Sequence, residues 1–170
     1  MDREALMHAN MIFVYARSAL AAVIVTLLAG SVSAQAPDPI IGVWKANVAK
    51  STYDPGPPAK STTTKYEMVG EKVRVTVDSV QADGTTRHYE SISAYDGKDY
   101  PITGNSPYGD TVARSRIDAR TVRSVNKKAG KVTATQTSVM AADGKTRTLT
   151  TTGVNAAGEK VHNVLVYEKQ

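Results

Sequence analysis

The chain has 170 residues, a formal net charge of +5, one tryptophan, one phenylalanine, eight tyrosines and no cysteine. Without cysteine there are no disulfides, no thiolate metal sites, no cysteine nucleophile and no lipid-bearing cysteine. Once a leader is set aside, the length suits one small domain with a single core.

The leader comes first in chain order. Arg17 precedes the apolar run ALAAVIVTLLAG (19–30), which is followed by SVSAQAPDP (31–39). A basic flank, a short apolar stretch and small residues at the −3 and −1 positions form the pattern of a secretory signal peptide. Val32 and Ala34 suit cleavage after Ala34, and Ala34 with Ala36 suits cleavage after Ala36. The run is shorter than the roughly 20 apolar residues of a comfortable membrane span, so an uncleaved anchor helix is the lesser alternative. Residues 1–34 are therefore expected to be a signal peptide and 35–170 a single exported domain, periplasmic or secreted. The acidic and basic residues of the leader cancel, so the mature part keeps the whole positive charge.

After Trp44 no segment carries a helical period. Instead β-branched residues and tyrosines alternate with polar ones in short runs, separated by turn signals. The runs are 41–47, 62–69, 72–80, 85–94, a short 98–102, 111–117, 121–128, 131–140, 145–153 and 159–169. The turn pairs are Asp83-Gly84, Asp96-Gly97, Asp118-Ala119, Ala129-Gly130, Asp143-Gly144 and Ala157-Gly158. Asp-Gly is a strong hairpin signal because glycine accepts positive φ without a Cβ clash. Ten such strands predict an all-β antiparallel meander, whose edges must be covered or closed. With no helices to cover them, an up-and-down β-barrel is the expected fold, and a two-sheet sandwich is its alternative. A faint internal echo links KVRVTVDSVQADGTTR (72–87) to KVTATQTSVMAADGKTR (131–147), with one extra residue in the second copy.

The Gly42-x-Trp44 pair on the first strand resembles the Gly-x-Trp of lipocalins and their calycin relatives. That resemblance implies an indole laid across one end of the barrel, filling an opening that small side chains leave. The closing LVYEK (165–169) is similar to the last strand of fatty-acid-binding proteins. The middle stretch YDGKDYPITGN (95–105) resembles a family of small secreted bacterial proteins with a lipocalin-like domain. Two departures stand out. Where fatty-acid-binding proteins insert a helical lid, this chain has YDPGPPAKS (53–61), whose prolines cannot form a helix interior. Where they carry an arginine two residues before the last tyrosine, this chain has Leu165 before Tyr167.

Trp44 is read first as core that closes the barrel and second as a contact for a guest inside it. Tyr66, Tyr89, Tyr95, Tyr100 and Tyr167 are the candidates to point hydroxyls into a cavity, with Leu165 beside them. Arg147, which shares a strand face with Leu149 and Thr151, is the candidate cationic contact for a guest, although an inward arginine is costly to bury without a partner. Neutral apolar or hydroxylated guests are therefore expected to bind better than fatty acids. No metal is expected: His88 and His162 lie in no short metal motif, and a cross-strand meeting with Asp78 or Glu90 is the lesser alternative. Ser106 in GNSPYGD lacks the Gly-x-Ser-x-Gly frame and the helix of a nucleophile elbow, and its surroundings are turn chemistry. Asp96 and Asp99 make no acid–base pair, since Asp96-Gly97 already reads as a turn. Neither catalysis nor a cofactor is expected.

One charge cluster remains. Between 114 and 131 stand Arg114, Arg116, Arg120, Arg123, Lys127, Lys128 and Lys131 against only Asp118. Strand alternation is read as putting Ala113, Ser115 and Ile117 inward and Arg114 and Arg116 outward, on a solvated basic face. Its functional rival is contact with an anionic lipid or polysaccharide surface. Nucleic acid is not expected, because no stacking aromatics interleave the cations. The expected protein is thus a monomeric, non-catalytic binder of one small, largely apolar molecule. The alternative is a packed barrel acting through its basic face.

Overall fold

The alternating runs become ten antiparallel strands: β1 (Gly42–Ala46), β2 (Ser61–Val69), β3 (Lys72–Val80), β4 (Thr86–Ser93), β5 (Asp96–Gly104), β6 (Thr111–Arg116), β7 (Thr121–Lys128), β8 (Lys131–Met140), β9 (Thr146–Val154) and β10 (Lys160–Lys169). The structure, a computed structural model, describes residues 38–155 and 157–170. The expected signal peptide and its cleavage site lie outside the described residues. Each strand pairs with its neighbours in sequence, and β1 pairs with β10 as well as β2, through Trp44↔Lys169 and Ala46↔Tyr167. The result is a closed up-and-down barrel without free edges.

Local chemistry explains the turns. Gly84 N–H donates to the Gln81 carbonyl and Gln81 N–H to the Thr85 carbonyl, while Asp83 Oδ1 accepts from Thr85 N–H at 2.9 Å. The β8–β9 turn repeats this with Gly144 N–H to Ala141 O and Lys145 N–H to Asp143 Oδ1, also 2.9 Å, and absorbs its extra residue before Thr146. Shared turn chemistry therefore accounts for the echo between the two hairpins.

Two local features depart from the expected boundaries. Asp96-Gly97, expected as a turn, lies within β5, where the register to β6 shifts between Asp96 and Asp99 and Gly97 takes φ +75°. This is a bulge, which glycine tolerates at positive φ. After β1 the chain makes a single 3₁₀ turn, Val48–Lys50, capped by Asn47, whose side chain accepts from Lys50 N–H. It then resumes beside β10, where Thr52 and Val164 exchange backbone hydrogen bonds and His162 N–H donates to the Asp54 carbonyl. The proline-rich stretch beyond carries no helix, as its composition dictates.

Alternation sorts the side chains onto two walls. Inward go Trp44, Ala46, Thr64, Val75, Ser91, Val112, Thr151 and Tyr167, all buried. Outward go charged pairs, among them Lys65–Glu67 at 2.8 Å and Lys50–Glu168 at 3.0 Å. A membrane barrel would instead show an outward apolar band.

Candidate functional site

One end of the barrel is closed by the indole of Trp44, which is 0% exposed, packed with Ile40, Ala46, Met140 and Tyr167. Its Nε1–H donates to the Ile40 carbonyl at 2.7 Å, so the buried polar atom of the ring is satisfied. The segment before β1 crosses this end. Asp38 forms an ion pair with Arg116 of β6, the strand farthest from β1 in the barrel order. Lys169 Nζ lies 5.4 Å from the indole centroid and donates to the Pro39 carbonyl.

Above this floor is a lumen of about 470 Å³. Its wall carries Tyr66, Tyr89, Tyr95, Leu165, Tyr167 and Arg147 of the expected ligand contacts. Trp44 lies beneath the lumen as packed core. Tyr100 does not reach the lumen. Strands β4 and β5 share only three residue partners, and at this seam Tyr100 donates to Asp96 Oδ2 at 3.0 Å with its ring 5.1 Å from Lys72 Nζ. Serines, threonines and amides fill much of the remaining wall, including Ser79, Ser124, Asn126, Gln136 and Ser138. At the far rim stand Tyr53, Pro55, Pro57, Tyr108, Asn155 and Glu159.

Burial keeps Tyr89, Tyr95, Tyr108 and Tyr167 of the lumen protonated. Burial pushes Tyr167 and Tyr95 up to about 12, and burial likewise raises Tyr89 and Tyr108. Thr64 beside Tyr167 acts in the opposite direction, while the Tyr53 hydroxyl is buried without a hydrogen-bond partner.

Arg114 corrects the expected orientation of β6. It turns into the barrel, donating through Nη2 to Ser91 Oγ at 3.0 Å and through Nη1 to Ser93 Oγ. Both serines belong to β4, so Arg114 spans the poorly paired β4–β5 seam. Arg116 follows the same alternation to the floor, where it meets Asp38 and stacks on Tyr95 at 4.3 Å. Ala113, Ser115 and Ile117 lie on the opposite face, where Ile117 is exposed while Ala113 stays buried. The signal was Val112, an apolar residue on the arginine face whose partner Asn126 is also buried. Lys127 is paired with Asp99 at 2.8 Å, which leaves Arg120, Arg123, Lys128 and Lys131 of the basic cluster exposed.

Arg147 is a second inward cation, 1% exposed, and Arg87 also lines the lumen. Its guanidinium carbon lies 4.1 Å from the ring centre of Tyr167, 5.1 Å from Tyr66 and 5.5 Å from Trp44. Each such contact is worth about 0.5–2 kcal/mol. Sequence reasoning missed Arg114, Tyr53 and Tyr108 as wall residues and found Arg147 through its alternation with Leu149.

His88 and His162 stand apart from the lumen. His88 Nδ1 sits 2.7 Å from Asp78 Oδ1 on the outer wall, and His162 is exposed on β10. Ser106 Oγ accepts from Tyr108 N–H at 3.2 Å, as turn chemistry requires. No protein-family model and no curated protein matches the chain.

Proposed function

We propose that the protein is an exported, non-catalytic binder that holds one small molecule in the lumen of its barrel. The observation that carries this reading is the cavity of about 470 Å³ above a closed floor. Small-ligand sites begin at roughly 300 Å³, and a barrel that serves only as a scaffold fills its interior with side chains. A packed barrel acting through its basic face is disfavoured for that reason. The wall mixes tyrosine rings and aliphatic groups with hydroxyls and amides, so a guest bearing polar groups along its length fits better than a plain hydrocarbon. Tyr89, Tyr95, Tyr108 and Tyr167, held protonated by burial, supply hydrogen bonds to such a guest.

Native mass spectrometry of the protein purified from its own cells tests this directly. The expected result is a protein beginning at Gln35 or Pro37 that carries one small molecule, released on collisional activation. Bare protein only, with no retained mass when small organic molecules are offered, would overturn it.

A further inference from the structure

We infer that the floor of the lumen receives the anionic head of a small organic acid, with Arg147 as its principal contact and Arg114 as a second. This deepens the lumen-binding reading and rests on it.

The inference starts from the unmet donors of Arg147. Nη1 donates to Ser138 Oγ at 3.3 Å, whereas Nε and Nη2 are buried with no hydrogen-bond partner. Those two nitrogens lie on one edge of the planar guanidinium, so their N–H groups run side by side. That edge is the fork that takes a carboxylate or sulfonate in two parallel hydrogen bonds. A guanidinium stays charged in proteins, and a buried charge is costly unless paired. Neither the rings around Arg147 nor the serines around Arg114 supplies a counter-charge.

The described carboxylates lie elsewhere. Among the described residues, neither Arg114 nor Arg147 takes part in a salt bridge. The lumen wall contains one carboxylate, Glu159, at the opposite rim, where it accepts from Asn155 Nδ2 at 2.8 Å. Tyr66 lines the lumen together with both cations, and its ring faces Arg147. Trp44 and Tyr167 are buried, but Tyr66 is only half-buried. Its ring is therefore the one that yields when an anion reaches the fork. The polar wall above then suits the body of a hydroxylated or aromatic acid. This reverses the expectation of a neutral guest, which presumed that an inward Arg147 would need a protein partner.

The test compares 8-anilinonaphthalene-1-sulfonate with N-phenyl-1-naphthylamine, the same scaffold without the sulfonate, by fluorescence titration at neutral pH. The sulfonate is expected to bind at least about tenfold tighter, and Arg147→Met to bring the two probes within about threefold. Arg114→Met should lower the preference in part. Arg147→Lys, which keeps the charge but not the fork, should fall between wild type and Arg147→Met. Equal affinity of both probes for the wild type, a comparison that needs no variant, overturns the inference while leaving the lumen reading intact. So does loss of the preference in a Lys128→Ala/Lys131→Ala surface variant when Arg147→Met retains it. Failure of both probes to bind removes the lumen reading itself.

Discussion

On the outer wall cations stand beside carboxylates: Lys65 by Glu67 at 2.8 Å, Lys50 by Glu168 at 3.0 Å, Arg74 by Glu90 at 4.0 Å. On the inner wall Arg147 and Arg114 stand among rings and hydroxyls. The same residue types therefore obey different energetics. Exposed pairs contribute about 0–1 kcal/mol each, because water already solvates both partners. A cation withdrawn from water without a counter-charge costs several kcal/mol, offset only in part by its hydrogen bonds and ring contacts. The outer cations are thus solvated and paired, whereas Nε and Nη2 of Arg147 on the inner wall have no partner.

The largest effect expected from this contrast lies at the floor. Trp44→Ala should destabilise the protein by about 3–5 kcal/mol in urea unfolding, since the indole is fully buried and leaves a large void. Wild-type Trp44 emission should be blue-shifted in the folded state. A loss below about 1 kcal/mol, the range of an outer ion pair, would erase the distinction between the walls.

The second effect is smaller and of unusual sign. Arg147→Met removes a buried cation and keeps a similar apolar length. The unfolding free energy without ligand should stay level or rise by about 1 kcal/mol, because lost desolvation offsets lost ring contacts. A fall of about 3 kcal/mol would mean that Arg147 is held for stability and would place it with Trp44.

The strands and their closure were legible because they depend on alternation and turn chemistry, and both are local. The Asp-Gly turns and the Gly42-x-Trp44 position carried that information. Which face of a strand turns inward was harder to read. In β8, Val132 and Val139 are exposed while Ala134 and Ser138 are buried, so hydrophobicity points the wrong way. In β6 the face with small residues looked like the core face, yet the arginine face is inward because the lumen is polar. Tyr100 was misplaced for another reason: β4 and β5 part company near it, and Asp96 offers its hydroxyl a partner outside the lumen. Seam width is a property of the closed barrel and leaves no mark in the sequence. The unpartnered edge of Arg147 is likewise a result of packing.

The smallest effect belongs to the outer wall and concerns pH. His88 and Asp78 are cross-strand partners on β4 and β3, with Nδ1 2.7 Å from Oδ1 and both side chains largely in water. The hydrogen bond to Asp78, then its charge, raises the imidazole above its ordinary value of 6.5, and Glu90 adds a little in the same direction. A pKa raised on folding means that the native state holds the proton more tightly. The resulting stabilisation is fully present below the unfolded value and is lost as pH climbs through the folded one. An NMR titration should place the His88 midpoint above 6.5, and Asp78→Asn should return it toward that value. Because the pair is solvated, the accompanying change in stability should be slight and should shrink further in salt. A midpoint at or below the ordinary value would show that water, rather than Asp78, sets the charge of this histidine. The outer wall would then be electrostatically inert even where its geometry is close.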